Sequence, residues 1–177
     1  MNENSLNLSE FSYAEINDMQ AKLITEKKNL EKRIAELEQL SKVNYNMGNY
    51  DMRKEIDNED IPEVEGKLSE VNDKLKQINA YYANLYTKAE MLAKDIEIEL
   101  TEKEANAIID MYSVLKSESE KKYHDVLDDI VEHGEDNNYD FDDELEEMHH
   151  EKEQYLSQVY KYEKVIVAAT NSICRKL

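Results

Sequence analysis

The stretch "VEGKLSEVNDKLKQINAYYANLYTKAEMLAKDI", residues 64–96, decides the fold. Its apolar side chains fall at Val64, Leu68, Val71, Leu75, Ile78, Tyr82, Leu85, Ala89, Leu92 and Ile96, in steps that alternate four and three without a miss. That alternation draws a narrow stripe along one side of an α-helix, the seam through which helices pair in coiled coils. At 1.5 Å per residue, a helix over 61–99 is roughly 55 Å long.

The composition around this seam favours more of the same. The chain has 177 residues with three Gly, one Pro and no Trp, so few positions punctuate turns. A second seam runs through Phe141, Leu145, Met148, Lys152, Tyr155, Val159, Tyr162, Ile166, Ala169 and Ile173. A third, Ile108, Tyr112, Leu115, Ser119, Tyr123, Val126 and Ile130, takes two four-residue steps around Ser119, a stutter that relaxes a supercoil. The first helix carries Ile16, Met19, Leu23, Leu30, Ile34 and Leu37. Stripes this narrow, with charged faces elsewhere, predict an all-α chain of antiparallel coiled-coil hairpins or an elongated four-helix bundle.

Capping signals set the expected boundaries. Ser12 with Glu15 forms a capping box, with Phe11 and Ile16 placed for a hydrophobic staple. Asp60 with Glu63, followed by Pro62 in a first turn, marks a second start; Thr101 with Glu104 and Asp140 with Asp143 mark two more. The expected layout is a tail over 1–12, helices over about 13–44, 61–99 and 102–133, a connector over 45–60, an acidic loop over 134–140, and a fourth helix over 141–177 on the same bundle. Tyr45, Met47, Tyr50, Met52 and Ile56 in the connector imply that it packs on something, and its length leaves room for a short helix of its own. "IEIEL", 96–100, leaves three possibilities open: a tight turn at Thr101, a kinked continuous helix, or a short strand. "VIVAATNSI", 165–173, is apolar on nearly all faces and predicts a segment enclosed by neighbours or by a partner.

The charge balance is acidic, 22 basic against 41 acidic residues, a net −19. Direct binding of nucleic acid or of an anionic membrane is not expected of such a chain. The start, MNENSLNLSEF, lacks a basic region followed by an apolar core, so no signal peptide is expected. Cys174 is the single cysteine, which excludes an intrachain disulfide and fits a cytoplasmic protein.

Three stretches invite chemical readings. "EEMHHEKEQY", 146–155, places Glu146 and Glu147 three residues before His149 and His150, the spacing of di-metal carboxylate bundles. Such ligands must point into a core from two helices, yet with Met148 on the seam the Glu147/His150 pair points away, Glu146/His149 is at best peripheral, and neither His124 nor His133 has a Glu three residues before it; a solvated face is the expectation. "DNNYDFDDELEE", 136–147, sets oxygen ligands at calcium-loop positions with Asp136, Asn138, Asp140, Asp142, Glu144 and Glu147. Phe141 stands where that loop needs glycine, which makes this a weak calcium candidate and leaves an acidic linker as the expectation. Finally, 125–151 holds thirteen Asp or Glu and no Lys or Arg.

No cofactor, catalytic group or metal site is expected from these patterns. The favoured function is a non-enzymatic helical scaffold, adaptor or assembly subunit, either a homo-oligomer or part of a complex. Its partner contacts would fall on Val64, Leu68, Val71, Leu75, Ile78, Tyr82, Leu85, Tyr155, Val159, Tyr162 and Ile166. The alternative is an acidic nucleic-acid mimic that inhibits a DNA- or RNA-binding protein through Asp125, Asp128, Asp129, Glu132, Asp142, Asp143 and Glu146.

Overall fold

The computed structural model describes residues 6–135 and 143–175. Within them the chain is all-α, with a short 3-10 turn at Leu8–Glu10 followed by α1 (Tyr13–Asn46), α2 (Tyr50–Glu55), a π turn (Ile56–Asp60), α3 (Ile61–Ala93), α4 (Glu102–Glu135) and α5 (Asp143–Cys174). The long helices pair as antiparallel hairpins, and the described residues contain no strand. No described helix is long and apolar enough to cross a membrane. The chain divides into two compact units, 1–83 and 84–177, the division falling within α3.

In the first unit, α1 runs antiparallel to the opening half of α3. Ile16, Leu23, Val71 and Ile78 form its core with Leu8 beneath the N-terminal turn. Ascending positions on α1 meet descending positions on α3: the Tyr82 hydroxyl donates to Asn17 Oδ1 at 2.6 Å, and Gln20 Nε2 donates to Asn79 Oδ1 at 3.1 Å. The entry to α1 follows its local code. Ser12 Oγ accepts from the Glu15 amide, the Glu15 carboxylate accepts from the Ser12 amide, and Phe11 packs on the cluster that contains Ile16.

The expected connector 45–60 is helical from Tyr50 and holds the short helix its sequence allows, and α3, which begins at Ile61, follows it without a break. Helical backbone is unbroken from α2 through the π turn into α3, with the Ile61 amide donating to the Ile56 carbonyl five residues back. Pro62 marks a helix start here, yet no break precedes it. A proline inside a helix lacks one donor and crowds the carbonyl four residues earlier. The widened π turn immediately before it accommodates that carbonyl, so the helix passes through a residue that ordinarily marks its beginning.

The second unit contains the end of α3, with α4 and α5. Leu85, Ala89 and Leu92 from α3, Ile108, Met111 and Tyr112 from α4, and Val165 and Ala169 from α5 are all buried. Helix α4 runs antiparallel to both neighbours: Lys88 pairs with Glu104 at one end, while Ser119 Oγ donates to Gln158 Oε1 at 3.2 Å further along. The residue behind the expected stutter, Ser119, is thus a buried polar member of the α4–α5 seam. The 165–173 segment is enclosed on one side only, since Val165 is buried and Val167 is 53% exposed.

The α3 helix stops at Ala93, short of the expected residue 99. Asp95 takes a left-handed conformation (φ 59°), its amide bonds the Leu92 carbonyl, and the Ile96 amide bonds the Met91 carbonyl. This is a Schellman stop with aspartate in the place glycine usually holds. Residues 96–101 then form neither helix nor strand, which settles the three open readings of "IEIEL". A second capping box, Thr101 with Glu104, starts α4 as expected.

Two predictions follow from burial. Ile78 is fully enclosed, so Ile78→Ala lowers unfolding free energy by about 3 kcal/mol in a urea titration, and the half-buried Leu75→Ala by less. Tyr112 packs edge-on to Tyr162 at 5.5 Å, and burial, then Glu90, Tyr86 and Tyr162, push its phenol up to about 12 from an ordinary 10.0. The folded state therefore holds this proton more tightly than the unfolded chain does. The resulting stabilisation is complete below pH 10 and drains away as pH rises toward 12; Tyr112→Phe removes that part of the alkaline slope.

Candidate functional site

The seam residues expected to meet a partner are turned into the chain itself. Val71 and Ile78 lie in the first unit's core and Leu85 in the second's, while Leu75 and Tyr82 pack on the first core from its edge. Val64, Leu68, Tyr155, Val159, Tyr162 and Ile166 are half-buried along the same hairpins. A narrow stripe, the reason for expecting a second chain, is sufficient here because each hairpin closes it with another helix of the same chain.

The charged candidates are differently placed. Asp125, Asp128, Asp129 and Glu132 on α4 and Glu146, Glu147 and Glu151 on α5 are exposed, and the antiparallel pairing brings the two sets to the same end of one hairpin. Asp143 and Glu144 lie in the first turn of α5. Asp136, Asn138, Asp140 and Asp142, and with them the heart of the calcium candidate, are outside the described residues. His149 and His150 are exposed, and the His150 ring is 2.9 Å from Gln154 Nε2, a contact along one helix. Among the described residues no group of three or more His, Cys, Asp or Glu is arranged to hold a metal ion.

The site that sequence reasoning passed over is the tip where α1 turns into α2. Six of the fourteen large apolar side chains that stand exposed among the described residues fall within residues 40–52: Leu40, Val43, Tyr45, Met47, Tyr50 and Met52. The connector does pack on α1, through the buried Ile56 and the Ser41–Asp57 contact, while Tyr45, Met47, Tyr50 and Met52 stand exposed. Leu40, Val43 and Met47 recur at helical spacing but lie to one side of the inward stripe of Leu37, Ser41 and Asn44. That offset of phase is the signal that was available in the sequence.

The tip is well built. Gly48 adopts φ 78°, its amide bonds the Tyr45 carbonyl, and the Asn49 amide bonds the Asn44 carbonyl, a second Schellman stop. Beneath the exposed stripe, Asp57 on the π turn accepts from Ser41 Oγ at 2.6 Å and from Arg53 Nε at 3.2 Å. The Arg53 guanidinium in turn lies 4.7 Å from the centre of the Tyr45 ring, whose edge meets Tyr50 at 6.1 Å. These contacts tie α1, α2 and the π turn into one platform on which the apolar side chains stand. A shallow cleft of about 420 Å³ beside it is lined by Ser41, Lys42, Tyr45, Asn46 and Arg53. Chemically the arrangement offers aromatic, thioether and aliphatic contact surface with a few hydrogen-bonding groups, which suits a protein interface.

Comparison with protein-family models, with curated proteins and with solved structures finds no match for the chain. The tip's construction has its own test. Apart from Gly48 and its two chain neighbours, no atom lies within 4 Å of where a Cβ on Gly48 would stand, so Gly48→Ala is penalised only by its backbone. A loss of about 1 kcal/mol in thermal or urea unfolding is expected, with Gly48→Asn milder.

Proposed function

We propose that this chain is a non-enzymatic helical interaction protein, a scaffold, adaptor or assembly subunit that works through helix-mediated protein contacts, coiled-coil pairing included, in a cytoplasmic setting. The observation that carries the reading is the tip: a cluster of exposed Tyr, Met and aliphatic side chains held on a hydrogen-bonded platform. Gathered apolar exposure of this kind is uncommon on a monomer's surface unless something covers it. The seam residues support the reading indirectly, because their burial within the chain makes a firm mount for that surface.

A second reading draws on one specific observation. The exposed carboxylates of α4 and α5 converge at one end of their hairpin, the dense negative surface that an inhibitor of a nucleic-acid-binding protein would present.

Affinity capture from the native source, eluted along a salt gradient and identified by mass spectrometry, separates the two. Under the favoured reading a structural or helical protein is retained at high salt and is lost from Met47→Asp, while Asp128→Lys/Asp129→Lys leaves it bound. Elution of a nucleic-acid enzyme at low salt, abolished by the lysine reversals alone, would establish the second reading in its place.

A further inference from the structure

The tip specifies the kind of surface that covers it. Residues 40–57 carry Lys42, Arg53 and Lys54 against Asp51, Glu55 and Asp57, a local net charge of zero in a chain of net charge −19. Two copies of so acidic a molecule repel one another over most of their surface, and least where local charge cancels. A two-fold contact also demands a patch complementary to itself, in which residue i meets j and j meets i. A patch holding both signs around an apolar centre meets that demand; a purely basic or purely acidic one does not. The apolar centre has the composition of interface cores: Tyr45, Met47, Tyr50 and Met52 are each more than half exposed, with Leu40 and Val43 beside them.

We infer that the tip of α1 and α2 is a homodimerisation surface, on which a second copy of this chain seats its own tip about a two-fold axis. The inference rests on the interaction-protein reading in taking the exposed tip as contact surface, and adds to it the partner. Met47, 70% exposed at the turn, lies nearest the axis, with Tyr50 packing across it. Because Arg53 is already engaged by Asp57 and Tyr45, the platform is ordered before the second copy arrives and little ordering cost remains.

Sedimentation equilibrium on the full chain tests this directly. The expected mass is twice the chain's 20.8 kDa at about 50 µM protein, with little weakening between low and high salt. Met47→Asp/Tyr50→Asp should weaken association at least roughly tenfold while far-ultraviolet circular dichroism is unchanged, both positions lying outside the core. In a Cys174→Ser background, Met47→Cys should cross-link into a dimer on mild oxidation, whereas Val114→Cys, half exposed on α4, should not. A monomer at this concentration, a dimer indifferent to the double substitution, or a monomer that uses the tip to bind anionic phospholipid vesicles would each overturn the inference. A monomeric chain that still retains a helical partner through Met47 leaves the interaction-protein reading standing and removes only the second copy. A tip-dependent dimer that retains no other protein keeps the second copy and confines the function to self-assembly.

Discussion

Everything in this molecule depends on the need to cover one narrow apolar stripe on α3. A helix cannot bury its own seam, and two positions in seven are too few to support a deep core around it. The chain meets the need by pairing, with α1 against the first part of α3 and with α4 and α5 in the unit that holds its end. Each unit is thin, so single enclosed residues such as Ile78 and Val165 carry a large share of the packing. The polar faces are then free to hold the acidic excess without desolvating it.

Helix ends do the rest of the shaping, and the stops of α1 and α3 use left-handed residues with the same pair of backbone hydrogen bonds. Gly48 reaches that conformation without cost, and Asp95 reaches it as one of the few side chains that tolerate it. The Asp95 carboxylate also accepts from Lys164 Nζ at 2.7 Å, tying the stop at the end of α3 to α5. At the start of α4, Glu104 is drawn into a similar double duty. Burial alone would raise its pKa, but hydrogen bonds from Lys88 and from the Thr101 amide, with the Lys88 charge, outweigh burial and hold the carboxyl below the ordinary carboxylate value. A single glutamate thus completes a helix cap and fastens α4 to the end of α3.

How much of this was legible in the sequence follows from how local each determinant is. The seam of α3 and the capping boxes at Ser12 and Thr101 are written within a few residues, and they appear where the spacing places them. The stop at Asp95 was not legible, because aspartate enters the left-handed region too seldom to announce a helix end. Pro62 misled for the opposite reason: its signal is strong, and the π turn that neutralises it has no comparable mark. The exposed tip was half legible. Its apolar residues stand out, but whether a stripe beside a seam faces inward depends on which helix lies across from it, and that is a property of the fold. The centre of the acidic stretch, 136–142, lies outside the described residues.

The π turn at Ile56–Asp60 has a consequence for how such a chain could have arisen. A five-residue turn inside an α-helix is equivalent to one inserted residue, absorbed as a local widening instead of a break. Each residue advances a helix by about 100°, so that insertion re-phases everything on one side of it against everything on the other. The α3 seam fixes one phase, and the Asp57 contact with Ser41 fixes the other. A form of the chain one residue shorter here would keep its seam and its helices, yet swing α2 about a quarter-turn away from its present bearing. The direction in which Tyr50 and Met52 face is therefore set by the length of one turn, and a single codon gained or lost could redirect that surface without altering any residue on it.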